Sequence, residues 1–163
     1  RFHYVRYVTW ALENVRKRVQ KSMHPSKRKY FKRSRKILLT HYNKLNDESK
    51  QALEIMLLQS NELAVAYHLK EKFYEFLEAS DRNEAIKRLK FFILATQASK
   101  LKEFDPVLTM LGNWSKYILN SFDCPFTNGF TEGVNNTIKV IKRNAYGYRN
   151  FVNFRNRIML ALS

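Results

Sequence analysis

Thiol chemistry is almost absent from this chain of 163 residues. Its one cysteine, Cys124, rules out an internal disulfide and fits a reducing, cytoplasmic setting. Breakers are as scarce. Four glycines and 3 prolines leave long stretches without punctuation, which excludes the dense turns of a sandwich or barrel and favours helices. No apolar run approaches the length needed to span a bilayer, so membrane is a poor partner. His3, His24, His41 and His68 show no metal-ligand spacing. No phosphate-cradling glycine loop and no nucleophile elbow occurs. The pair Gly129 and Gly133 has membrane-dimer spacing, but in polar surroundings.

Acidic residues are also in short supply. There are 14 Asp and Glu against 30 Lys and Arg, for a formal charge of +16 and a pI near 10.1. Such an excess repels itself within a compact fold and points to a polyanionic partner, nucleic acid first. The alternative is a solvated basic surface that keeps the protein soluble. Hydrophobic residues at 45% and aromatics at 14% make this a folding sequence with a core, not a basic tail. Two glycosylation triplets, starting at Asn113 and Asn135, stand in a chain with no other sign of secretion.

Helical spacing runs through residues 2–20, with Phe2, Val5, Val8, Leu12, Val15 and Val19 on one stripe. Pro25 is expected to end that helix. The stretch PSKRKYFKRSRK, residues 25–36, is the densest charge cluster. Lys27, Arg28, Lys29, Lys32 and Arg33, with Tyr30 and Phe31 among them, are suited to a phosphate backbone and a stacked base. A solvated basic loop with both rings tucked into the core explains the segment equally well. Residues 36–44 read as a short helix, and Asn46 or Asp47 caps the next, with Leu53, Met56 and Leu57 facing inward. A longer helix covers 61–79, its core face carrying Leu63, Tyr67, Phe73, Phe76 and Leu77. Asp81 and Glu84 form a capping-box-like start for a helix through Ser99. Asp105-Pro106 opens another, with Leu108, Leu111, Ile118 and Leu119 inward. No 20–50-residue repeat is present, and no segment reads convincingly as a strand. The expected fold is all-α.

Chemistry concentrates in TNGFTEGVNNTIKVIKR, residues 127–143. The preceding DCPFTNGFT breaks the helical pattern with Pro125 and the turn signal Asn128-Gly129. From Thr131 the period returns. Val134, Ile138, Ile141 and Ala145 fall on one stripe; Glu132, Asn136, Lys139 and Arg143 follow another, with Asn135 and Lys142 beside them. The helix has two faces, and its polar face is ordered from anion to cation. Glu132 has a plain alternative explanation, since an acidic residue in a first helical turn interacts favourably with the helix dipole. A lone carboxylate, moreover, does not hold a catalytic Mg2+.

The same stretch, with YGYRNF at 146–151 and FRNRIMLAL at 154–162, resembles the C-terminal signature of DDE-type insertion-sequence transposases, most closely the ISL-three group. RFHYVR at 1–6 resembles the stretch that follows that family's second catalytic aspartate. The likeness is specific over 126–162 and supportive over 1–20. It implies an RNase H-like (α/β) core in which two aspartates and a glutamate hold Mg2+ or Mn2+ for cleavage and joining of DNA. On that pattern Glu132 is the third acidic ligand. Helical geometry then lays Asn135, Asn136, Lys139, Lys142 and Arg143 along the DNA backbone near the scissile phosphate, or else along a merely solvated face. Around Gly147, the residues Tyr146, Tyr148 and Arg149 either grip a transposon end or form a turn whose aromatics cover the core before a helix capped by Asn150.

The family's aspartates are expected before Arg1. Asp47, Asp81, Asp105 and Asp123 sit in cap-like or turn contexts and match neither. Since the chain starts at Arg1 and not at Met, a fragment is expected: residues 1–22 following the second aspartate, 23–122 a basic helical insertion, 123–163 the segment with the catalytic-glutamate helix. Such a fragment would bind no metal and be inactive alone. DNA is the expected partner, and self-association into a homo-oligomer stays open. The competing reading is a non-catalytic basic helical module that binds nucleic acid or a partner subunit.

Overall fold

The computed structural model describes residues 2–33, 35–123 and 129–162, with the backbone alone described for Phe2, Tyr30 and Arg33. Expectations resting on Cys124, Pro125 and Asn128, on the start of the turn before Gly129, and on the side chains of Phe2, Tyr30 and Arg33 lie outside the described residues. Among the described residues every regular element is helical and no strand occurs. The chain divides into two compact units, 1–123 and 124–163.

In the first unit, α1 (Phe2–Lys21), α5 (Asn61–Leu77), α6 (Arg82–Ser99) and α7 (Asp105–Asn120) pack around one core. The α5 helix lies against both α1 and α6, while α7 closes on α1 and α6. The shorter α2 (Pro25–Arg33), α3 (Arg35–Leu39) and α4 (Asp47–Leu58) run along the path from α1 to α5, and α4 leans on α5. Burial follows the periodicity. Val8, Leu12, Val15 and Val19 of α1 are inside, as are Leu63, Phe73 and Phe76 of α5, Phe92 of α6 and Leu111 of α7. Phe73 is the aromatic hub, its ring centroid 5.1 Å from Phe92, 5.5 Å from Phe76 and 6.4 Å from Tyr4. Each such buried phenyl ring contributes about 1.5–3 kcal/mol of transfer free energy.

Caps fix the helix starts. Asn46 accepts from the Ser49 amide at 2.9 Å, Ser60 from Leu63 at 3.3 Å and Asp81 from Glu84 at 2.9 Å. Glu84 answers by accepting from the Ser80 amide at 2.7 Å, one residue before the position a strict capping box uses. Pro106 sits in the first turn of α7, where its missing N–H costs nothing.

Three expectations need correction. Residues 25–33 form a helix where one of the two readings had a loop, although Phe31 is tucked into the core as that reading had it. Pro25 opens α2 instead of ending α1, because a proline N1 residue lacks only an N–H that had no partner anyway. Residues 36–44 do not make one helix: α3 stops at Leu39 and a 3-10 turn spans Tyr42–Lys44. On α7, Val107 and Met110 are buried while Leu108 is only half-buried.

The second unit is a helical hairpin of α8 (Gly129–Asn144) and α9 (Phe151–Leu162). Val134, Ile138 and Ile141 on α8 and Phe154 and Ile158 on α9 are half-buried; no described residue here is fully buried. Two helices cannot enclose a core, so Phe130, Phe151 and Leu160 stay exposed at 83%, 74% and 72%.

Candidate catalytic carboxylate and nucleic-acid interface

Helix α8 begins at Gly129, two residues earlier than the pattern suggests, which puts Glu132 in its first turn. The helix's positive end stabilises a carboxylate there, and Lys142 and Arg143 in the last turn complement the negative end. The apolar stripe faces α9, although Ala145 of the expected stripe is exposed. Glu132, Asn135, Asn136, Lys139, Lys142 and Arg143 are all exposed. From Glu132 to Arg143 the helix advances roughly 16 Å at ~1.5 Å per residue, about five base steps of a DNA strand. Among the described residues nothing hydrogen-bonds or ion-pairs with the Glu132 carboxylate.

The YGYRNF segment forms the turn from α8 to α9 and the cap of α9, though Tyr146, fully exposed, does not cover the core. The α8 helix ends in a paired C-terminal motif: the Gly147 amide donates to Lys142 O and the Tyr146 amide to Arg143 O, both at 3.0 Å. Tyr146 (φ 50) and Gly147 (φ 97) supply the left-handed backbone. Tyr148 packs its ring 4.9 Å from Phe154, and Asn150 caps α9 by accepting from Val152 at 2.8 Å and Asn153 at 3.3 Å. Arg149 and Tyr146 point to solvent.

The second basic surface is α2. Phe31, 1% exposed, anchors it to the core, and the Gln20 amide donates to Arg28 O at 2.9 Å. Lys27, Arg28, Lys29 and Lys32 are exposed, Arg33 lies in the same helix, and α2 contains no acidic residue. Among the described residues none of those four exposed cations is ion-paired, though Lys27 reaches Gln59 at 2.8 Å. Other arginines are spoken for. Arg18 meets Glu62 at 2.9 Å and Glu103 at 2.6 Å, and Arg16 and Arg35 both reach Glu13, at 2.8 and 2.9 Å. Arg82 pairs with Asp123. Among the described residues, Lys27, Arg28, Lys29 and Lys32 thus form a run of unpaired cations on one short helix, as Lys139, Lys142 and Arg143 do on the far half of α8.

A network that the sequence reading missed ties α3 to α5. Lys70, fully buried, donates to Leu38 O at 3.0 Å and Thr40 O at 2.6 Å, and contacts Glu71 at 2.6 Å. Glu71 also faces His41 Nδ1 at 2.5 Å, while His41 Nε2 lies 3.1 Å from Glu78. The His41 ring stacks on Tyr74 at 4.7 Å. Burial pushes the Glu71 carboxyl up, but Lys70, His41 and the Tyr42 amide outweigh it and hold its pKa below the ordinary value. Burial pushes the Lys70 ammonium down, with Glu71 offsetting only part. The signal was a lysine at a core position of an otherwise apolar stripe.

No group of three His, Cys, Asp or Glu able to hold a metal exists among the described residues. Asp81 caps α6, Asp123 pairs with Arg82, Asp47 lies 3.5 Å from Lys50, and Asp105 opens α7. None joins Glu132. Among the described residues no helix is long and apolar enough to cross a membrane.

Among the described residues, α2 carries unpaired cations and α8 opens its basic row with a carboxylate that has no partner. A family model described as transposase, of the ISL3 (ISL-three) type, matches residues 1–158, and the chain belongs to that family. Over 106 residues it is 36% identical to a protein named ATP-dependent protease from Lactococcus lactis subsp. lactis, covering 64% of this chain and 32% of that protein. Over 122 residues it is 28% identical to the transposase for insertion sequence element IS1001 of Bordetella parapertussis, covering 75% of this chain and 30% of that one. These two relatives differ in name, and the family match agrees with the second. The chain spans about a third of the length of the curated relatives it matches. No solved structure matches it.

Proposed function

We propose that these 163 residues are part of the catalytic region of a DDE-type transposase that cleaves and joins DNA by phosphoryl transfer, with Glu132 as one carboxylate of a divalent-metal site. The supporting observation is the placement of Glu132. It stands in the first turn of α8, exposed, without a partner among the described residues, at the head of the row formed by Asn135, Asn136, Lys139, Lys142 and Arg143. A hard carboxylate oxygen suits Mg2+ or Mn2+, yet one such ligand does not complete a site. The remaining carboxylates are then aspartates on an RNase H-like sheet contributed from outside these residues, and the 163 residues are inactive alone. When bound, the metal would activate water or a DNA 3′-hydroxyl and offset charge on the reacting phosphate. The chain's own share is positioning. The amides and cations of α8 hold the backbone beside the reacting phosphate, and Lys27, Arg28, Lys29, Lys32 and Arg33 of α2 provide a second surface for DNA.

The test is strand cleavage by the intact protein carrying Glu132→Gln, with Mg2+ or Mn2+. Cleavage should vanish while DNA binding in metal-free buffer persists. Undiminished cleavage by a folded variant removes Glu132 from the mechanism. These 163 residues would then serve the cleaving protein only as a basic helical module that binds nucleic acid, the reading favoured by α2.

A further inference from the structure

Between α1 and α7 runs an exposed groove of about 530 Å3 that none of the foregoing uses. Its walls are aromatic: Tyr4 and Tyr7 from α1, Trp114 and Tyr117 from α7. Buried Met110 and Ile118 line it as well. Tyr7, Trp114 and Tyr117 are 40%, 57% and 64% exposed, and Trp10 beside Tyr7 is 49% exposed. Trp114 and Tyr117 form one tilted ring pair with centroids 5.7 Å apart; Tyr7 and Trp10 form another at 6.2 Å. Neither indole N–H has a hydrogen bond among the described residues. Leaving this much tryptophan and tyrosine surface wet is costly unless something covers it.

Charge selects the occupant. No carboxylate lines the groove. Arg6 stands with its guanidinium carbon 4.3 Å from the Trp10 ring centroid, and the exposed stripe of α1 continues from Trp10 through Asn14 to Lys17 and Lys21. A second copy of a chain carrying +16 would bring more cations to a face that already carries Arg6, Lys17 and Lys21, against the carboxylate of Asp105 in the adjoining hollow. A polyanion with flat rings meets both features: phosphates near Arg6, Lys17 and Lys21, bases on the aromatic faces. Bases inside a duplex present their faces only to one another, so the rings that enter must belong to unpaired nucleotides.

We propose that the α1/α7 groove is a stacking site for unpaired nucleotides, with Trp114 and Tyr117 as the principal platform and Tyr7 and Trp10 opposite. This rests on the reading that DNA is the substrate, and it adds a single-strand site separate from the α8 row.

The experiment titrates the intact protein, at about 0.15 M salt, with an oligothymidine strand and with a duplex of the same length. Stacking should quench tryptophan emission, read as the difference between the parent and Trp114→Phe. Trp114→Ala should weaken single-strand binding about 5- to 150-fold, one lost stack. Duplex binding should change less than about twofold, and Trp114→Phe should restore most of the affinity. Trp114 is exposed, so the melting temperature should not move; Tyr117→Ala provides a second, independent loss. Single-strand binding by Trp114→Ala at parental strength, or binding without quenching, overturns the assignment. A smaller sedimenting mass for Trp114→Ala, with unaltered DNA binding, overturns it in favour of a protein interface. If duplex binds and single-strand affinity ignores Trp114, the groove assignment alone fails. If neither oligonucleotide binds, the DNA reading of the whole protein fails with it.

Discussion

Truncation of Lys70 to alanine should be among the most damaging single changes in the first unit. The side chain has no exposed surface, and its ammonium satisfies two backbone carbonyls, at Leu38 and Thr40, as well as Glu71. Its ammonium lies over the Tyr67 ring, with Nζ 4.2 Å from the centroid. Alanine leaves the half-buried Glu71 without its ammonium, and breaking such a pair, with the lysine fully buried, costs about 3–5 kcal/mol. Lys70→Met keeps the stem but strands the two carbonyls and leaves Glu71 without its ammonium, so it should cost about 3–5 kcal/mol as well. Lys70→Met with Glu71→Gln removes both charges and should recover part of that loss, because no unpaired ion remains. Urea denaturation and thermal melts measure all three variants. At roughly 4 °C per kcal/mol for a unit of this size, alanine should lower the melting temperature by about 12–20 °C. The network pins the end of α3 to α5, and α3 follows α2, so DNA binding through α2 should weaken in parallel with unfolding. An alanine variant within about 1 kcal/mol of the parent refutes the reasoning, since the ammonium would then be replaceable by water.

Two further outcomes follow from the charges. Replacing Lys27, Arg28, Lys29 and Lys32 together by alanine should leave the melt unchanged and reduce the slope of log affinity against log salt on duplex DNA by about 3–4; an unchanged slope takes α2 off the DNA. Burial pushes Glu13, Glu71 and Glu103 up, but Arg16 with Arg35, Lys70 with His41, and Arg18 respectively bring all three below the ordinary carboxylate value. A carboxyl with a depressed folded pKa stabilises the fold at neutral pH and loses that contribution as acid protonates it. The melting temperature should therefore fall below pH about 4.5, and a flat profile down to pH about 3 contradicts the pairing.

Much of this protein is written locally. The stripe of α1, the caps at Asn46 and Asp81 and the two faces of α8 each depend on residues within one or two helical turns, so periodicity and cap chemistry find them. The family resemblance was legible for the same reason, since its densest motif is a single helix. Pro25 misled because the same ring that ends a helix also opens one; the choice depended on Phe31 finding a pocket in the core.

Lys70, Glu71 and His41 meet across about 30 positions of sequence, and the α1/α7 groove joins residues more than a hundred apart. Helical spacing tells which residues share a face, but not which face another helix will cover. Trp10 and Val8 lie two positions apart on α1, and the first is half exposed while the second is sealed under neighbouring helices. That outcome depends on long-range packing, where the area removed from water is shared among all the elements of the unit. The helices and their polar faces could be read from the chain, whereas the buried ion network and the open aromatic wall exist only once α1, α5, α6 and α7 have closed on one another.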